Sequence, residues 1–105
     1  MLLNEIFAKN IDLNEHAKLI LVQLFMSGEG GGNIKSIFIN RSDDSNIAKN
    51  RDNLLKLGLI AKTDTNNFYI VTDAGKEAMK RASLLDDNDE LIDANIKDFE
   101  IKDQN

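Results

Sequence analysis

Residues 54–78, Leu-Leu-Lys-Leu-Gly-Leu-Ile-Ala-Lys-Thr-Asp-Thr-Asn-Asn-Phe-Tyr-Ile-Val-Thr-Asp-Ala-Gly-Lys-Glu-Ala, decide the fold. The leucines at 54, 55 and 57 close a helical pattern that stops at Gly58, because glycine takes the left-handed conformation after a helix without steric cost. Residues 59–63 and 68–71 are rich in β-branched and aromatic side chains and suit a pair of strands. Between them, Asp64, Thr65, Asn66 and Asn67 are turn residues whose side chains bond their own backbone and tolerate left-handed conformations. Thr72 then offers a hydroxyl to cap a new helix, expected to reach about Leu85. Ala74, Ala78, Met79 and Ala82 give that helix a face of small residues that permits close packing.

Upstream, Asp44 or Ser45 can cap a helix running to about Leu57, with Ile47, Leu54, Leu55 and Leu57 as its apolar contacts. Residues 40–45 are polar and turn-like. Ile34, Ile37 and Phe38 have helical spacing, so a short helix is expected there, although the composition also suits a strand. The loop Glu29-Gly30-Gly31-Gly32-Asn33 precedes it. The main first helix is expected to open at Asp12, with Glu15 three residues on in a capping-box arrangement. Its apolar residues Leu13, Ala17, Ile20, Leu21 and Leu24 are joined by Leu19, Val22, Phe25 and Met26, so it is apolar nearly all round and buried on more than one side. Gly28 ends it. Leu2, Leu3, Ile6 and Phe7 have a further short helical pattern.

Two of these pieces carry a family resemblance. Leu54-Leu55-Lys56-Leu57-Gly58-Leu59-Ile60 is similar to the exit from the recognition helix in many bacterial regulators. Tyr69-Ile70-Val71-Thr72-Asp73-Ala74-Gly75-Lys76-Glu77-Ala78 resembles the strand, threonine and helix that close a wing. Over roughly residues 12–83 the chain resembles the winged helix-turn-helix family of DNA-binding domains. It departs from the family pattern in its short second helix, its glycine-rich loop and the Asp43-Asp44 pair in the turn. The resemblance implies a mainly α fold with a small β-hairpin (α+β), in which residues 1–85 form the winged-helix domain. Within it the recognition helix would span about 45–57, the wing 59–71 and the closing helix 73–85, with an acidic tail over 86–105.

By the same resemblance, the N-terminal half and outward face of the 45–57 helix would enter a major groove of double-stranded DNA. Helical spacing puts Ser45, Asn46, Lys49, Asn50, Asn53 and Lys56 outward. Asparagine can pair with adenine, and lysine can reach guanine or phosphate. Arg51 can meet phosphate or pack its stem on the core. Arg41 in the preceding turn joins the basic set, and Lys62, Thr63, Asn66 and Asn67 would line the wing. The plain alternative is a solvated helix face with no nucleic-acid role. Asp43 and Asp44 suit a helix N-terminus, where the macrodipole favours anions, but they also repel phosphates.

The charge distribution bears on this choice. The chain of 105 residues has a net charge of −5. Residues 86–105 hold eight acidic residues against Lys97 and Lys102, a net of −6, which leaves +1 for residues 1–85. Residues 35–62 hold six basic residues against three acidic ones, so the segment expected to bind is mildly basic, at +3. For the tail three readings stand: an acidic solubilising end; a helix over about 89–99 that covers the first helix with Ile92, Ile96 and Phe99, within the chain or across a dimer; or a competitor that folds over the binding surface. The second is favoured, because an all-round apolar helix needs a cover.

Other chemistries find little support. No cysteine is present, which excludes disulfides and thiolate metal sites. His16, the single histidine, reads as an ordinary surface or boundary residue, since no His/Asp/Glu cluster with ligand spacing accompanies it. Gly30-Gly31-Gly32 is not followed by the lysine and hydroxyl residue of a phosphate loop, and Asp87, Asp89 and Asp93 lack an EF-hand's glycine and terminal glutamate. No catalytic activity, metal or cofactor is therefore expected. The N-terminal residues lack the features of a signal peptide, and no apolar run approaches a membrane span, so a cytoplasmic location is expected. The small size and high asparagine content resemble small regulators of phages, plasmids and low-GC bacteria. A homodimer through the first helix and the C-terminal segment is expected. The rival expectation is a winged helix used as a protein-interaction module, which the acidic balance favours.

Overall fold

The computed structural model describes residues 13–28, 30–33 and 44–97, with backbone alone for 44–46. The first helix, α1 (Glu15–Met26), opens at Asn14, whose Oδ1 accepts a hydrogen bond from Ala17 N at 2.9 Å. Such a cap contributes about 1 kcal/mol. The expected cap, Asp12, lies outside the described residues, and the capping position belongs to Asn14 two residues on. Six residues of α1 are buried, namely Ala17, Leu19, Ile20, Leu21, Val22 and Leu24. They occupy several sides of the helix, as its pattern requires. Gly28 follows the helix at φ +86°.

The glycine-rich loop does more than connect. Gly32 and Asn33 form a two-residue strand, β1 (Gly32–Asn33), paired antiparallel with β3 (Phe68–Val71). On its other side β3 pairs antiparallel with β2 (Ile60–Lys62), with Ile60 opposite Val71 and Lys62 opposite Tyr69. The sheet is therefore three-stranded, in the order β1-β3-β2, where the sequence led to a two-stranded hairpin. In the connecting turn Asn67 adopts φ +66°, and Phe68 N donates to Thr65 O at 3.1 Å. The left-handed asparagine anticipated in the turn is thus Asn67. The short helix expected around 34–39 lies outside the described residues.

The second helix, α2 (Asp44–Lys56), begins at Asp44. Asp44 and Ser45 are therefore inside the helix, not its cap. Its exit is well defined: Leu59 N donates to Leu54 O at 2.9 Å and Gly58 N to Leu55 O at 3.1 Å, with Gly58 at φ +76°. This is the paired hydrogen-bond pattern of a Schellman end, in which the residue past the helix must be left-handed. The third helix, α3 (Asp73–Arg81), opens at Thr72, whose Oγ1 accepts from Gly75 N at 3.1 Å. The same oxygen donates to Gly58 O at 2.6 Å, and Thr72 N donates to Leu59 O at 3.0 Å. The end of α2 and the start of α3 are thereby stitched together across the base of the hairpin.

Gly75 permits the close approach. A Cβ there would collide with the Leu59 carbonyl and come within 2.8 Å of Val71 Cγ1. Ala78 and Met79 follow it on the buried face of α3, with Ala74 and Ala82 half-buried beside them.

α3 stops at Arg81, four residues before the expected end at Leu85. Ser83 turns left-handed at φ +63°, Leu84 N donates to Met79 O at 2.8 Å, and Ser83 N donates to Lys80 O at 3.0 Å. The chain then folds back. Leu85 bridges Leu91, and Ile92 N donates to Leu84 O at 2.9 Å. A short helix, α4 (Asp93–Ile96), replaces the longer one expected over 89–99; Phe99 lies outside the described residues. Ile96 is buried in the same cluster as the α1 leucines, together with Leu84 and Leu85. Each such burial stabilises by about 1.5–3 kcal/mol.

The turn at 86–90 carries the tail's first charges. Asp86 Oδ1 accepts from the backbone of Asn88 and Glu90, and Lys80 Nζ lies 2.7 Å from Asp89 Oδ1. The hydrogen bond from Lys80 is the main influence that lowers the Asp89 pKa, and the same bond raises that of Lys80. Among the described residues, no helix is long and apolar enough to cross a membrane.

Candidate nucleic-acid interface

α2 is held on α1 by a stripe at i, i+3, i+7: Ile47, Asn50 and Leu54. Asn50 was expected to point outward, but it is only 8% exposed and belongs to this inner stripe. Its Oδ1 accepts from Asn14 Nδ2 at 2.9 Å. Asn14 thus uses both ends of its amide, capping α1 with the oxygen and holding α2 with the nitrogen. A buried amide needs such partners, because leaving one unmet costs about 1–3 kcal/mol. The physical reason for the correction is helical phase: Asn50 stands one turn from both Ile47 and Leu54, so it shares their face. That spacing is the signal by which its burial was legible.

The opposite face is polar and open. Lys49, Asp52, Asn53 and Lys56 are exposed, and their spacing of three and four places them along one side of the helix. Of the residues expected to bind, the structure therefore brings Lys49, Asn53 and Lys56 together. Ser45 and Asn46 lie on the first turn of α2, with their side chains outside the description, and Arg41 lies outside the described residues altogether.

Asp52 is the residue the sequence reasoning left out of the stripe. Its side chain is 66% exposed, and its Oδ1 accepts a hydrogen bond from Arg51 Nε at 3.0 Å. Neighbouring residues on a helix do not normally face each other, so Arg51 bends along the surface to make this pair.

The hairpin supplies the second part of the surface. β2 packs beside α2, and Lys62 at its end is exposed. In the turn Asn66 is exposed, while Asn67 and Thr63 are half-buried. Thr63 Oγ1 both accepts from Thr65 N and donates to Thr65 O, so its hydroxyl shapes the turn.

Two grooves flank these elements. One, of about 200 Å³, runs between the start of α1 and the exit of α2, lined by Leu13, Asn14, Asn50, Asn53, Lys56 and Leu57 among others. The other, of about 320 Å³, lies between the end of α1 and β3, with Lys76 among its lining residues. His16 is half-buried on α1. Among the described residues, no group of three or more His, Cys, Asp or Glu side chains converges as a metal site would require. No protein-family model, curated protein or solved structure matches the chain.

Proposed function

We propose that this chain is a non-enzymatic, sequence-specific regulator that binds double-stranded DNA through a winged helix, with α2 in the major groove. The observation that carries the proposal is the exposed stripe of Lys49, Asn53 and Lys56 on a helix that runs directly into a short hairpin. A helix of this kind can present lysines to guanine or phosphate and asparagine to adenine. The order of α1, β1, α2 and hairpin, and a three-stranded sheet with β3 in the middle, support the winged-helix reading. In it the turn at 64–67, with Lys62 beside it, approaches the flanking backbone.

The proposed assembly is a homodimer whose two α2 helices occupy successive major grooves. Most of α1 is covered within the chain, and Met26 at its end is 50% exposed. The proposed contact runs through the first helix and the C-terminal segment, and the exposed Met26 supports it. A second reading, a protein-docking module with little DNA affinity, is favoured by Asp52 within the stripe and by the net charge of −5.

Fluorescence anisotropy with random duplex DNA, titrated from low to physiological salt, separates the two. Binding should weaken steeply with salt through counterion release. The Lys49→Ala and Lys56→Ala proteins should each lose about one unit of the log–log salt slope while melting at the wild-type temperature. Unchanged slopes would remove α2 as the binding helix. No binding at low salt would leave the protein-docking reading.

A further inference from the structure

An acidic side chain at the centre of a DNA-binding stripe is a liability. It repels phosphate and lowers affinity for every sequence equally, unless it meets a donor that only some sequences offer. Asp52 stands in this position, three residues after Lys49 and four before Lys56. Its carboxylate is 66% exposed and keeps acceptor capacity beyond the bond it makes. Oδ1 already accepts from Arg51 Nε, and Oδ2 makes no hydrogen bond among the described residues.

We propose that Asp52 is a specificity-determining residue that reads the exocyclic amino group of a cytosine in the major groove; this rests on the DNA-binding reading above. Two bases present an amino donor there, adenine at N6 and cytosine at N4. On adenine the amino group sits beside N7, an acceptor that repels a carboxylate. On cytosine it sits beside a C–H. A carboxylate, which can only accept, therefore selects cytosine. Lys49 and Lys56, one turn to either side, hold the helix on the phosphates that flank that pair. Arg51 partly neutralises the carboxylate through Nε. The arrangement predicts a G·C pair fixed at one place in each half-site.

The test begins with selection of duplexes from a randomised pool by the wild-type protein. Cytosine should be retained at one position, and exchanging it should weaken binding by about tenfold. In Asp52→Ala that preference should vanish while the others remain. Asp52→Asn should move it toward adenine, which an amide can bond through both N6 and N7. A second measurement leaves the protein unchanged: replacing that cytosine by 2-pyrimidinone, which lacks the amino group, should weaken the wild type by about tenfold and leave Asp52→Ala indifferent. The proposal is overturned if Asp52→Ala binds all duplexes more tightly by one common factor with its base preferences intact. It is overturned equally if the amine-free base is bound as well as cytosine by the wild type. Failure of the wild type to bind any duplex would remove the DNA-binding reading itself, an outcome distinct from either.

Discussion

The two helices that flank the hairpin end in the same pattern of hydrogen bonds, but the ends are secured by different means. After α2, the left-handed residue is Gly58, and the chain enters a joint in which Leu59, Thr72 and Gly75 touch backbone to backbone. After α3, the left-handed residue is Ser83. No close approach at a glycine follows it. The chain instead returns from residues 92–96, with Asn95 Nδ2 donating to Ser83 O at 2.8 Å and Ile92 N to Leu84 O. The first joint rests on the absence of side chains at two glycines. The second tolerates a strained serine because a distant segment closes over it. A motif of identical geometry can thus be intrinsic to its own residues in one place and borrowed from tertiary contacts in another.

The largest expected effect comes from the first joint. Gly75→Ala forces a Cβ into the Leu59 carbonyl, so it should cost about 3 kcal/mol or prevent folding, as overpacked backbone contacts do. Chemical denaturation reads this directly, and a wild-type midpoint would mean that the joint opens without penalty.

The next two substitutions exchange the residues of the two ends. Gly58→Ala meets no neighbour, and its cost is the left-handed conformation alone, about 1–2 kcal/mol. Ser83→Gly should do the reverse and stabilise by about 0.5–1 kcal/mol. Thermal melts of both proteins sharpen the comparison. If Ser83→Gly melts at or below the wild-type temperature, the serine is not strained and the two ends are equivalent.

The smallest effect concerns the Lys80–Asp89 pair at the second end. The Asp89 pKa is lowered below 3.8 by the bond from Lys80. Its contribution is therefore present above the unfolded carboxylate's pKa and is lost as pH falls through the lower, folded value. The raised pKa of Lys80 makes its contribution present below the unfolded lysine pKa and lost at strongly alkaline pH. Asp89→Asn should melt slightly below the wild type at pH 7, and the difference should close in acid. An exposed pair of this kind is weak, so a gap that persists at pH 2 would assign Asp89 a role other than this ion pair.

The same contrast explains what could be read from the residues. Gly58 and Thr72 announce their roles because the chemistry involved, a left-handed turn and a hydroxyl cap, is local to them. Ser83 does not, since serine has no preference for that conformation and the segment that stabilises it arrives from twelve residues away. β1 was illegible for a related reason. Glycine and asparagine are poor strand formers, and they are recruited by the open edge of β3. Asn50 was misplaced because its polarity outweighed its phase, although Ile47 and Leu54 fix the face it shares. The Lys49, Asn53 and Lys56 side of α2 was legible from spacing alone. Asp52 stood on that side throughout and was counted only as charge.

Thr72 Oγ1, which binds Gly58 O and Gly75 N at once, has a consequence for variation in this fold. Both feet of the hairpin are fixed to a single atom, so the angle between α2 and α3 is independent of whatever loop spans residues 64–66. Insertions and deletions there are geometrically silent at the helices. Such chains can lengthen or shorten that loop while α2 and α3 keep their angle.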